Sequence, residues 1–112
     1  MDTADFEKSK IFTVVDLDHY VPNGIFMKTI LKRPTGNVSA VFIDRGEQIT
    51  EKLSRFDHFI QIIEGQAEVQ IDDNLFSLIS GESIIIPAHS KNTIKANERF
   101  KMISTIIKSG YE

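Results

Sequence analysis

The side chains of this 112-residue sequence best suited to chemistry near neutral pH are its three histidines, His19, His58 and His89. An imidazole titrates in that range and ligates metals. Their spacing contains no H-x-H pair, so only the fold could bring them together. His58 opens an apolar run, HFIQII, and shares a strand face with Ile60 and Ile62, because residues two apart point the same way. A histidine so placed serves either as a pocket acid, base or ligand-orienting donor, or as a core residue tied to a polar neighbour such as Ser54 or Asn92. Asp57 faces the opposite way and makes no close dyad with it. His89, between Ala88 and Ser90, reads as a loop residue that reaches at most the rim of a pocket, and His19 as a solvated loop residue. Lys28 lies mid-strand, where a desolvated lysine can become a nucleophile, though such a lysine more often carries its charge to the surface. Ser54 has no neighbouring base in a nucleophile motif. The absence of cysteine excludes disulfides and thiolate metal sites.

Those residues must be positioned by strands. The stretch Asp57–Pro87 reads as four short strands joined by turns. Gln66–Ile71 alternates polar and apolar residues without a fault. Glu64-Gly65, Asp72-Asp73-Asn74 and Ser80-Gly81-Glu82 supply turn residues, and Pro87 stops the last strand. Upstream, Ile25–Lys32 and Val38–Ile43 read as strands, and Glu47–Phe56 as a loop with a short strand near Ile49. Downstream, Asn92–Ala96 and Arg99–Lys108 complete the set. Lys10–Leu17 is β-prone and is expected to lie as a strand on a sheet edge. No segment sustains a helical period, and hairpins this tight imply an antiparallel sandwich or barrel. The expected organisation is a single barrel domain over 10–108, with tails at 1–9 and 109–112.

The net charge of −3, with both signs mixed along the chain, leaves no electrostatic footprint for nucleic acid or an anionic membrane. The acidic start lacks the apolar core of a secretory signal, and no apolar run is long enough to cross a bilayer. A soluble, cytoplasmic protein is expected.

The spacing of glycines and proline resembles the cupin superfamily, whose motifs are G-x5-H-x-H-x3-E-x6-G and G-x5-P-x-G-x2-H-x3-N. Gly46 and Gly65 frame the first without a gap, and Gly81 and Pro87 fit the second. IIEGQAEVQI and SGESIIIPAHS are most similar to short, single-domain bacterial cupins of the "cupin 2" type. The resemblance implies an all-β, RmlC-like double-stranded β-helix, a jelly-roll barrel. In the family two histidines and a glutamate of the first motif and a histidine of the second bind a divalent metal. Here those positions hold Lys52, Ser54, His58 and Asn92, and His89 stands at a motif glycine. An ammonium repels a divalent ion at close range, and one imidazole with an amide and a hydroxyl makes no transition-metal site. No cofactor is expected.

The expected pocket is lined by His58, Lys52, Ser54 and Asn92, with Ile60 and Ile62 beneath, and suits a small polar or anionic metabolite. The alternatives are a metal-dependent dioxygenase or isomerase using His58, His89 and a carboxylate such as Glu47 or Glu51, and a structural domain whose pocket is filled by its own phenylalanines. Phe59, Gln61 and Ile63, opposite His58, are the candidate homodimer face. Lys10–Leu17 is the strand that would add to a partner's sheet.

Overall fold

The computed structural model describes residues 5–108; Met1–Ala4 and Ser109–Glu112, including part of the expected N-terminal tail and all of the C-terminal one, lie outside them. Among the described residues nine strands form two antiparallel sheets: β1 (Ile25–Arg33), β2 (Gly36–Ile43), β3 (Gln48–Glu51), β4 (Asp57–Glu64), β5 (Gln66–Ile71), β6 (Asn74–Ile79), β7 (Ser83–Ile86), β8 (Asn92–Lys95) and β9 (Phe100–Ile107). The larger sheet runs β1-β2-β9-β4-β7 and the smaller β3-β8-β5-β6. Each strand expected from the sequence between Ile25 and Lys108 is present, with ends shifted by at most a few residues. The alternation of β5 buries Ala67, Val69 and Ile71, as a sheet with one wet face requires.

Cross-strand register on the inner face of the larger sheet sorts side chains into rows. One, Met27–Val41–Met102–Ile62, is apolar. The next, Thr29–Ser39–Ser104–Ile60, carries three hydroxyls. The last, Lys32–Asn37–Ile106–His58, lies at the barrel mouth. The barrel is therefore apolar at one end, where Ile43, Ile62 and Phe100 are fully buried, and grows polar toward the other.

Two β-bulges re-aim charged side chains, as an unpaired extra residue reverses the alternation beyond it. The register of β1 with β2 skips Ile30, which turns Lys32 inward beside Asn37. The register of β4 with β9 skips Ile63, which turns Glu64 outward beside Lys101. Without these slips, Lys32 would face solvent and Glu64 the core.

The segment Lys10–Leu17 is not a strand. Its one regular element is a 3-10 turn, Val14–Asp16, and it crosses the outer face of the larger sheet instead of pairing with an edge. Its residues are β-prone because they pack on a sheet, not because they extend one. Upstream, Asp5 binds Arg33 at 2.7 Å and the Phe6 N–H donates to the Ile30 carbonyl at 2.7 Å, pinning the segment to β1.

Beneath this strap lies a second small core on the outer face. Phe42 is fully buried there against the rings of His19, Tyr20 and Phe26, with centroids 5.5–6.2 Å apart. Lys101 is buried beside it. Its Nζ donates to the Val15 carbonyl at 2.7 Å, lies 3.6 Å from Glu64 Oε2 and stands 5.6 Å from the Phe42 ring centroid. The Tyr20 hydroxyl donates to the same Glu64 oxygen at 2.7 Å. Burial first, and then that hydrogen bond, push the Tyr20 hydroxyl well above its ordinary range. The Arg99 guanidinium covers the Tyr20 ring at 4.1 Å. The second half of β2 and the first half of β9 are thus buried on both faces.

Candidate functional site

A cavity of about 370 Å³ opens between the sheets at the polar end. Its floor is Val41, Ile94 and Met102, and its walls include Met27, Ile49 and Ile106. Thr29, Ser39 and Ser104 project into it from β1, β2 and β9, and His58, Asn92 and Glu51 from β4, β8 and β3. Asn37 and Lys32 complete the mouth. A mostly apolar concavity with a few convergent polar groups is the usual form of a small-molecule site. No phenylalanine lines it. Phe42 and Phe100 are spent elsewhere, so the barrel is not plugged by its own aromatic core.

A second, smaller cavity of about 240 Å³ adjoins the first and shares Asn37, Glu51, His58 and Ile106 with it. Its remaining walls are Ser54, Arg55, Phe56 and Lys108.

The sequence-derived site residues are placed unequally. His58 and Asn92 line the main cavity. Ser54 reaches the smaller one, but its hydroxyl is committed elsewhere: buried, it donates to the Pro87 carbonyl at 3.0 Å and lies 3.2 Å from that of Ser90. It clamps the loop before β4 to the loop after β7. Ile60 and Ile62 lie fully buried in the core below, without forming the wall. Lys52 is exposed and borders neither cavity. β3 ends at Glu51, which pairs with Asn92 and takes the inward position, so the chain has already left the sheet at Lys52. His89 sits on an exposed turn with φ of +66°, keeping the left-handed backbone that a glycine would hold more easily. Neither His89 nor Glu47 lines either cavity. Lys28 points outward, 6.0 Å from the Phe6 ring. Met27, Thr29, Lys32, Asn37, Ser39 and Ser104 were not singled out from the sequence; the alternation N-x-S-x-V in β2 and M-x-S-x-I in β9 carried the available signal.

The partner of His58 is Ser104, not Ser54 or Asn92: Nε2 and the hydroxyl oxygen share a hydrogen bond of 2.5 Å. Burial pushes the imidazole below its ordinary value of 6.5, so His58 is neutral at neutral pH. Asp57, on the other face, accepts the Ala88 N–H at 2.8 Å. This arrangement has a consequence for stability. In the unfolded chain His58 takes up a proton below its ordinary pKa, while the folded chain resists, so the stability it supplies is complete above about pH 6.5 and is lost as pH falls. Urea unfolding at pH 7.5 and pH 5 is expected to show a larger fall in the wild type than in His58→Gln. Equal falls in the two proteins would remove His58 from that role.

Among the described residues no three His, Cys, Asp or Glu side chains gather as a metal-binding group. The main cavity offers one imidazole and one carboxylate, His58 and Glu51. Transition-metal centres take at least three protein ligands, so these residues do not fit the metal that cupins commonly carry.

Asn92 is the anomaly of the site. It is 2% exposed, and its Nδ2 is a buried donor without a hydrogen-bond partner among the described residues. Leaving such a group unpaired costs about 1–3 kcal/mol.

The architecture is that of the cupin fold, the double-stranded β-helix. No protein-family model matches the sequence, and a search of curated proteins returns no match. Solved structures do match. A conserved protein of unknown function from Streptococcus pyogenes superposes with a TM-score of 0.85 at 23% identity, covering 93% of this chain and 91% of that one. A cupin superfamily protein from Desulfitobacterium hafniense gives 0.80 at 19% identity, over 94% and 95% of the two chains. An RmlC-like cupin from Shewanella frigidimarina gives 0.76 at 14% identity, over 96% of each. Among the described residues no helix is long and apolar enough to cross a membrane.

Proposed function

We propose that this chain binds a small organic molecule in the barrel cavity and does so without a metal. The observation that carries the reading is the buried, unpaired amide of Asn92, a residue that lines an otherwise mostly apolar cavity. A ligand oxygen accepting from Nδ2 satisfies the donor, while the ligand body covers Ile49, Ile94 and Met102. The neutral His58, held by Ser104, adds a second fixed polar contact. The metal-dependent alternative needs a third donor, and His89 and Glu47 lie away from the cavity.

Methionine methyl NMR tests this directly, because two of the three methionines, Met27 and Met102, line the cavity. In a panel of straight-chain carboxylates, alcohols and glucose, at least one compound is expected to shift both resonances saturably. Ile49→Phe, which fills the cavity from a strand with one wet face, is expected to abolish that shift. If no compound moves either methyl, the reading is wrong.

The same proposal takes a second copy of the chain as partner. Leu31, Val38, Thr105, Phe59 and Ile85 form one outward row in register across all five strands of the larger sheet. Leu31, Phe59 and Ile85 are 40–62% exposed, and a row of this kind on an open sheet face favours association. Sedimentation equilibrium is expected to give a dimer for the wild type and a monomer for Phe59→Lys. A monomeric wild type at tens of micromolar would sink the dimer.

A further inference from the structure

We infer that the ligand is an amphipathic anion, with an apolar body in the main cavity and an acidic head in the smaller one. The inference rests on the binding reading above and adds the chemical class of the ligand.

Its basis is the asymmetry of the two joined cavities. The inner one is lined by Met27, Ile49, Ile94 and Met102, with hydroxyls on one wall only. The outer one, reached past His58 and Asn37, ends at Arg55 and Lys108. Lys32, turned inward by the bulge at Ile30, adds a third cation at the mouth. Among the described residues none of these three is engaged in an ion pair. A chain of net charge −3 thus gathers three cations without an ion pair among the described residues at the opening of this mostly apolar cavity, against the carboxylate of Glu51.

Two of the cations are anchored in different ways. The Lys108 main chain is tied by its N–H, which donates to the Thr35 carbonyl at 2.8 Å. The Arg55 guanidinium stands 5.6 Å from the Phe56 ring centroid, and Phe56 lines the same lobe. Glu51 sits at the junction, where it repels an anionic head lodged midway and favours one seated beyond it, at Arg55 and Lys108. The independent pointer to a ligand is Asn92, which lines the inner cavity and whose buried amide donor has no partner among the described residues. A ligand with a hydroxyl or carbonyl part-way along its body meets that requirement, and a simple alkanoate is the minimal probe of the rest.

The experiment is calorimetric titration of the full chain with acetate, butanoate, hexanoate and octanoate, and with octan-1-ol and octylamine. Affinity is expected to rise about threefold per methylene through the series. Octanoate is expected to bind about tenfold tighter than octylamine. Neutralising the outer lobe with Arg55→Gln and Lys108→Gln together is expected to weaken octanoate about tenfold and leave octan-1-ol unchanged. Both substitutions lie at partly or fully exposed positions, so folding is not at stake. If the alcohol and the amine bind as tightly as the acid, or the double variant binds octanoate normally, the inference fails while the binding reading stands. If none of the compounds binds and none moves the Met27 and Met102 methyls, both fail together.

Discussion

Gly65→Ala is expected to cost at least about 3 kcal/mol, more than an ordinary turn substitution. Gly65 links β4 to β5 with φ of +85°. A Cβ at this position would collide with the Arg99 carbonyl oxygen and lie within 2.8–2.9 Å of Phe100 Cβ and Cα. These are backbone and near-backbone atoms at the closed end of the barrel, with no flexible side chain able to yield. Gly46 and Gly81 provide the control. Both hold the same left-handed backbone, with φ of +90° and +91°, and a Cβ at either meets nothing within 4 Å. Alanine there is expected to cost about 1 kcal/mol from backbone strain alone. In thermal unfolding the contrast is a fall of roughly 15 °C for Gly65→Ala against about 5 °C for the others. Equal falls would mean that the approach of Arg99 to the turn relaxes freely.

Removing Glu64 is expected to be the most damaging change beneath the N-terminal strap. Lys101 is buried, with its side chain 2% exposed, whereas the Glu64 side chain is 40% exposed. Glu64→Leu leaves a buried ammonium with only the Val15 carbonyl and the Phe42 face, and a loss of about 2–4 kcal/mol is expected. This is somewhat below the value for a fully buried pair, because solvent already screens the carboxylate. Adding Lys101→Met removes the stranded charge, and the double variant is expected to recover to within about 1 kcal/mol of the wild type. Urea unfolding of the two variants and of Lys101→Met alone closes the cycle. A double variant that loses the sum of the single losses would show that the two groups do not act as a pair.

The strands were legible because single features fixed them. The alternation of Gln66–Ile71 placed β5 to the residue, and Pro87 marked the end of the sheet run before it. Gly46, Gly65 and Gly81 each hold the positive φ that their place in the motif spacing implied. The strap was not legible. Val14 and Leu17 are half-buried against a sheet they do not pair with, and nothing in a β-prone octet distinguishes packing on strands from joining them.

The site was partly legible. His58 and Asn92 came from positions inside strands, where spacing and facing are locked together. Lys52 did not reach the cavity because motif spacing counts residues and does not register where β3 ends. Ser39 and Ser104 escaped notice for another reason. Their neighbours Ala40 and Phe42 are also buried, so β2 shows no wet set against which an inward set could be recognised. Lys32 depends on a bulge, and an extra residue in one strand is visible only once its partner is known.

The two-sided burial of β2 also sets how the cavity can be remodelled. Val41 faces the cavity while Ala40 and Phe42 face the core beneath the strap, so a change that shifts β2 disturbs both packings at once. β1 and β3 are different. Met27 and Ile49 reach the cavity from edge strands, each paired with a single neighbouring strand. An engineer seeking a new ligand, or a lineage acquiring one, has a route of low resistance through those two edges, with β2 and β9 as the fixed chassis.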